Sequence, residues 1–130
     1  MAAVYLDTSA LGRSLLDEPD KAVIEHTLNA YGLPVSSTLL RVELRRLGFR
    51  RNLLDRADAL LSGVTLIPLD NEILTAAETV IPPTVATLDA IHLATAVRLA
   101  QAGELDAIMT YDKRLADGAR AHGLTVIAPS

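Results

Sequence analysis

The sequence predicts an α/β protein, a three-layer α/β/α sandwich on a mostly parallel five-stranded sheet. Three observations carry this. Short apolar runs alternate with longer segments of helical periodicity, in the order β, α, β, α, repeated along the chain. Each short run is apolar through its length, as strands buried on both faces are. Residues are 50% hydrophobic but only 3% aromatic, so the core must be assembled from Leu, Ile, Val and Ala, which favours helices packed on a sheet over an aromatic-rich barrel. At 130 residues the chain fits one domain, 1–130, able to bury roughly two-thirds of its unfolded surface.

Strands are expected at Ala3 to Leu6, near Leu33 to Ser36, at Val64 to Pro68, at Ala107 to Thr110 and at Thr125 to Ala128. After the first, "SALGRSLLD" reads as a short helix and "DKAVIEHTLNAYG" as a longer one, with Val23, Ile24 and Leu28 on one face and Asp20 as its cap. The segment "SSTLLRVELRRLGFRRNLLDRADALLSG" spaces Leu40, Glu43, Leu44 and Leu47 by three and four, then enters a second helix over Leu53, Leu54, Leu60 and Leu61. Ser37 is its expected cap and Gly48 its expected break. "DNEILTAAETV" and "TLDAIHLATAVRLAQAG" are helical, divided by Pro82 and Pro83, with Thr87 or Asp89 capping the second. "DKRLADGARAHG" closes the series as a weakly amphipathic helix ending at Gly123.

Composition excludes several function classes. The chain has no Cys, which removes disulfides, thiolate zinc sites and Cys nucleophiles together. No apolar run approaches the eighteen or so residues of a membrane span, and "MAAVYLDTSA" lacks the basic stretch of a secretory signal, so a soluble, cytoplasmic protein is expected. A net charge of −4 argues against broad adhesion to nucleic acid while leaving room for a local basic patch.

The informative residues are acids in unusual places. Ligands of open α/β sheets bind beyond the carboxyl ends of the strands, and there Asp7 ends the first strand in "VYLDTSAL" while Asp112 follows the fourth in "IMTYDKRL". Glu43 belongs to, or borders, the buried stripe of its helix, and Asp89 opens the most hydrophobic helix in the chain. Singly, each has an ordinary reading: a turn or cap for Asp7, an ion pair with Arg46 or Arg50 for Glu43, a cap for Asp89, a helix start for Asp112. Gathered in one place they would repel one another until protons or cations intervened. Oxygen-only ligands without a His or Cys cluster favour Mg²⁺ or Mn²⁺ over Zn²⁺. Such an ion keeps waters, and a water held beside a phosphodiester is a ready nucleophile. Two such ions would contribute about +4, against the chain's −4.

With "YLDTSAL", "RVELRR", "LDAIHLATA" and "TYDKRLA" in order across nearly the whole chain, the sequence resembles the PIN domain, and within it the VapC-type toxins of bacterial toxin–antitoxin pairs. The resemblance implies that Asp7, Glu43, Asp89 and Asp112 match an acidic quartet that binds Mg²⁺ or Mn²⁺ and cleaves RNA. It implies that Thr8, Ser9 and Thr110 support the quartet. It further implies strand order 3-2-1-4-5, a homodimer and inhibition by a VapB-type antitoxin. The quartet is intact.

Other residues are weighed beside these. His92, three residues after Asp89, reads as a packed, hydrogen-bonded histidine rather than a base or ligand. His26 and His122 read as surface residues, and Asp17, Glu18 and Asp20 as a solvated loop around Pro19. Asp106 precedes the fourth strand and belongs at the opposite end of the sheet. Arg41, Arg45, Arg46, Arg50 and Arg51 flank Glu43 as a solvated face, an RNA-tracking rim or a surface for an acidic partner, and Arg13 could meet phosphate near the site. Four aromatics, Tyr5, Tyr31, Phe49 and Tyr111, are too few for an extended base-stacking platform. Two further functions compete: phosphoryl transfer with Asp7 as nucleophile, although Ser9 stands where such enzymes usually carry a second Asp, and a non-catalytic nucleotide- or protein-binding module. No GxGxxG or GxxxxGK[ST] loop supports the latter.

Overall fold

The protein is described by a computed structural model covering residues 2–130. In chain order its elements are β1 (Ala3–Leu6), α1 (Thr8–Leu15), α2 (Lys21–Tyr31), β2 (Leu33–Ser37), α3 (Thr38–Arg50) and α4 (Leu54–Leu61), followed by β3 (Thr65–Ile67), α5 (Asn71–Ala77), α6 (Thr87–Gln101), β4 (Ala107–Met109), α7 (Lys113–Ala121) and β5 (Val126–Ile127). All five strands are parallel, in the order β3-β2-β1-β4-β5, as the resemblance implied.

Strand periodicity of two sorts the core into two layers. Val4 and Leu6 of β1, with Ala107 and Met109 of β4, face α1, α2, α3 and α4, where Leu11, Leu15, Ile24, Leu40, Leu44, Ala57 and Leu61 close over them. Tyr5 and Ile108 point the other way, against Leu93 and Ala96 of α6 and Leu115 and Ala119 of α7. Full burial on both faces holds for β1 and β4 but not for the edge strands: β3 and β5 are partly exposed, because each has a neighbour on one side only.

Local expectations were overruled where tertiary partners competed. Ser37 precedes α3 but its hydroxyl does not cap it and is buried without a partner. Asp20 precedes α2 without capping it, since its carboxylate pairs with Arg13 at 3.0 Å. Asp20 and Asp17 are thus not merely solvated, the latter pairing with Lys21 at 3.3 Å. Neither Thr87 nor Asp89 caps α6, whose first turn contains both and whose cap position is Ala86. Gly48 does not break α3. It lies inside the helix, where a Cβ would come within 3.1 Å of the Leu53 carbonyl oxygen and Ala57 Cβ, so it permits close approach of α4. The last helix, α7, is sharply rather than weakly amphipathic, burying Leu115, Ala116, Gly118 and Ala119 and exposing its charges. Leu40 belongs to the core and Leu53 packs against it.

A Cβ at Gly118 would lie 3.0 Å from Val85 Cγ2 and 3.1 Å from Leu93 Cδ2. Gly118→Val is therefore expected to overpack the α6–α7 seam and lower stability by about 1–3 kcal/mol, read as a shift in urea midpoint at unchanged slope. An unchanged midpoint would mean the seam yields.

Candidate active site

In this strand order the chain runs outward in one direction through β2 and β3 and in the other through β4 and β5, so the switch point lies between β1 and β4. Asp7 and Asp112 sit at its carboxyl edge. Ser36 Oγ donates to the Leu6 carbonyl at 2.6 Å, which fixes the backbone just before Asp7.

Asp7 is 2% exposed. Its Oδ1 accepts from Ser9 Oγ at 2.7 Å and from Ala10 N at 3.1 Å, which makes it the N-cap of α1. Its Oδ2 accepts from Ser9 Oγ at 2.9 Å and from Thr110 Oγ1 at 2.7 Å. Burial raises the Asp7 pKa above the ordinary carboxylate value although the Ser9 and Thr110 hydroxyls pull it down. The same two hydroxyls stitch the strand ends together: Ser9 Oγ accepts from Tyr111 N at 2.9 Å, and Thr110 Oγ1 from Asp112 N at 3.0 Å. Asp112 caps α7 through Oδ1, which accepts from Leu115 N at 2.8 Å. It is thus a helix start and a member of the site together.

Glu43 borders the buried stripe of α3, half-buried, and does not pair with Arg46 or Arg50. Its Oε1 accepts from Thr8 Oγ1 at 2.6 Å and from His92 Nε2 at 2.8 Å. Burial pushes the Glu43 pKa up, but these hydrogen bonds and the pull of His92 outweigh it, leaving the group below its ordinary value. His92 is 1% exposed, packed and hydrogen-bonded as expected, and its Nδ1 lies 2.8 Å from the Tyr5 hydroxyl. Burial pushes the Tyr5 phenol up to about 12, so it remains a donor. An ionised Glu43 only accepts, so Nε2 carries the hydrogen, and in the neutral ring Tyr5 donates to Nδ1. Tyr5 is the residue sequence reasoning missed. It stood only among possible stacking aromatics, although alternation along β1 places it on the face opposite Val4 and Leu6.

Asp89 lies in the first turn of α6, half-buried. Its carboxyl is pushed up to about 6 by burial and then by the charges of Asp112 and Asp7, with Glu43 adding to them and His92 opposing. Among the described residues no hydrogen bond to the Asp89 carboxyl offsets these effects. The structure thus brings Asp89 into electrostatic reach of the other three predicted acids. Among the described residues no three of the four close into a ready-made ligand cage. In chemistry, however, the set fits a hard divalent cation: oxygen donors only, held near one another against their own repulsion.

Thr8 hydrogen-bonds Glu43, and Ser9 and Thr110 hydrogen-bond Asp7; among the described residues the arginines do not pair with the quartet. Arg13 is engaged by Asp20, with its guanidinium 3.9 Å from the Tyr111 ring centroid. Arg45 pairs with Asp58 at 3.2 Å, Arg46 lies 5.8 Å from the Phe49 ring centroid, and Arg41 and Arg50 are exposed. Asp106 is at the opposite end of the sheet, accepting from Ala3 N at 2.7 Å. His26 is exposed, and His122 is half-buried with Nε2 2.7 Å from the Ile81 carbonyl oxygen.

His92→Leu is expected to keep the fold, since side-chain volume is nearly conserved, but to free Glu43 and raise its pKa. An NMR titration of Glu43 should then show a midpoint higher than in wild type; an unmoved midpoint would assign His92 to packing alone.

Comparison with known proteins agrees with this geometry. The PIN domain profile matches residues 4–121. "Ribonuclease VapC47" of Mycobacterium tuberculosis (strain CDC 1551 / Oshkosh) is 39% identical over 97% of this chain and 96% of its own. "Ribonuclease VapC46" of Mycobacterium tuberculosis (strain ATCC 25618 / H37Rv) is 38% identical, with both chains covered in full. The fold matches crystal structures of Mycobacterium tuberculosis VapC20, a Sarcin-Ricin loop cleaving toxin, and of Rickettsia felis VapBC2 bound to a DNA fragment from its promoter. The TM-scores are 0.72 and 0.73, at 17% and 12% identity, over 97% and 98% of this chain and 99% of each of theirs. Fold, matched profile and near-full-length relatives together show that the chain belongs to the PIN domain family, in its VapC group.

Proposed function

We propose that this protein is a Mg²⁺-dependent endoribonuclease, with Mn²⁺ able to replace Mg²⁺, and that it acts in the cytoplasm as the toxin of a VapBC pair, a homodimer restrained by a VapB-type antitoxin. The observation that carries the reading is the buried Asp7 carboxylate, held by Ser9 and Thr110 at the switch point of the sheet, with Asp89 within charge-coupling range of it, Glu43 and Asp112. Such an arrangement is costly without a cation and useful with one.

Asp7, Asp89 and Asp112 would hold the ion, with Glu43 completing the set. When bound, it supplies charge stabilisation at the phosphoryl oxygens and lowers the pKa of attacking water. The chain's own residues orient the acids: Ser9 and Thr110 fix both oxygens of Asp7, and Thr8 and His92 fix Glu43. Phosphoryl transfer through Asp7 is disfavoured because Ser9, two residues on, stands where such enzymes usually carry a second Asp. On α3, Val42 and Phe49 are 60% and 61% exposed beside Arg41, Arg45, Arg46 and Arg50, a mixed apolar and basic surface suited to an acidic antitoxin segment.

Purified, antitoxin-free protein is expected to cut a mixed RNA pool with Mg²⁺ or Mn²⁺ and to cut none of it in EDTA. Cutting that survives EDTA would remove the metal from the reading, and a folded, metal-binding protein that cuts nothing would favour a binding module.

A further inference from the structure

Beside the acidic site opens a groove of about 470 Å³ that shares Thr8, Ser9 and Asp112 with it. Its floor is apolar, formed by Gly12, Leu16 and Leu47. Its wall is Tyr111, with the Arg13 guanidinium carbon 3.9 Å from the ring centroid and the ring's hydroxyl donating to the Pro129 carbonyl. Among the described residues the only cation lining this groove is Arg13, already met by Asp20 at 3.0 Å, and exposed Glu18 lies along the groove.

These features select a ligand class. A groove whose single cation is paired and whose lining also carries Glu18 and Asp112 repels a phosphate. It suits a flat, uncharged ring that stacks on an aromatic–guanidinium wall, rests on an apolar floor and offers N–H donors to carboxylates. An unpaired nucleobase has those properties. Gly12 keeps the floor open: a Cβ there would already touch Leu47 Cδ2 at 3.5 Å, and a longer side chain would extend into the space.

We propose that this groove is a nucleobase subsite, which takes an unpaired base within two nucleotides of the cleaved phosphodiester against Arg13 and Tyr111. The inference rests on the ribonuclease reading and adds to it the part of the substrate recognised. It also changes the role of Arg13, from a phosphate contact to one face of a stacking wall.

The test uses single-stranded oligonucleotides spanning a mapped cut, each carrying one abasic nucleotide within two positions of it, with wild type, Arg13→Ala and Gly12→Leu. One abasic position should lower wild-type kcat/KM about tenfold, mainly through KM. The same lesion should cost less than about twofold in either variant, whose activity on the intact strand has already fallen to that level. The inference is overturned if wild type cuts RNA yet no abasic position matters, or if the abasic loss persists undiminished in both variants. It is equally overturned if Arg13→Ala keeps its kcat/KM on RNA but loses affinity for the antitoxin, which assigns the groove to a protein segment. The abasic series is read on wild type, so it decides even where a variant fails to fold. A wild type that cuts no RNA at all removes the ribonuclease reading, and this inference with it.

Discussion

Asp89→Asn is expected to abolish RNA cleavage and, at the same time, to raise the melting temperature of the metal-free protein at pH 7.5 by about 2–5 °C. Both effects have one cause. The Asp89 carboxyl is pushed up to about 6 by burial and by Asp112 and Asp7, so at pH 7.5 it is ionised in surroundings that disfavour its charge. The amide removes that repulsion and also removes a ligand. The sign with pH follows from linkage. An acid whose pKa is higher folded than unfolded binds more protons in the native state, so the stability it contributes is present below the unfolded value near 4 and is lost as pH rises through about 6. The advantage of Asp89→Asn should therefore be large at pH 7.5 and small at pH 5. Added Mg²⁺ should raise the wild-type midpoint at pH 7.5 more than that of the variant. A variant less stable than wild type at pH 7.5 without metal would contradict the electrostatic account, whatever its activity.

Asp7→Asn should lower kcat by at least about 10³-fold, with the far-UV spectrum and cooperative melt retained. The fold survives because Asn keeps an acceptor for Ala10 N, and the Ser9 and Thr110 hydroxyls can rotate to accept from the new amide. The chemistry does not survive because Asp7 is the most buried of the four acids and stands at the switch point between β1 and β4. Isothermal titration with Mn²⁺ provides a readout apart from cleavage: affinity should drop with the activity. Retained cleavage would end the assignment of Asp7 to the reaction.

Much of this molecule is legible from its residues taken in order. The alternation of apolar runs with helical segments follows from backbone periodicity, which needs no knowledge of distant partners, and the strands at Ala3 and Ala107 lie where their uninterrupted apolar character places them. The acids were legible for a related reason. A carboxylate that ends a buried strand or borders an apolar helical stripe is unfavourable by local rules alone, and so marks Asp7 and Glu43 without any structure.

What local rules could not supply was the choice among partners. Asp20 and Ser37 stand at cap positions with capping side chains, yet Arg13 takes the first and neither backbone nor side chain takes the second. Gly48 has the residue type of a helix end but serves the approach of α4. His92 could have been a base, a ligand or packing until Tyr5 and Glu43, from two other elements, met its two ring nitrogens. The sequence by itself determined the period of each element and the set of charges that must be reconciled. The tertiary structure decided which group satisfies which, because hydrogen bonds and repulsions act over a few ångströms in space while the residues concerned stand tens of positions apart along the chain.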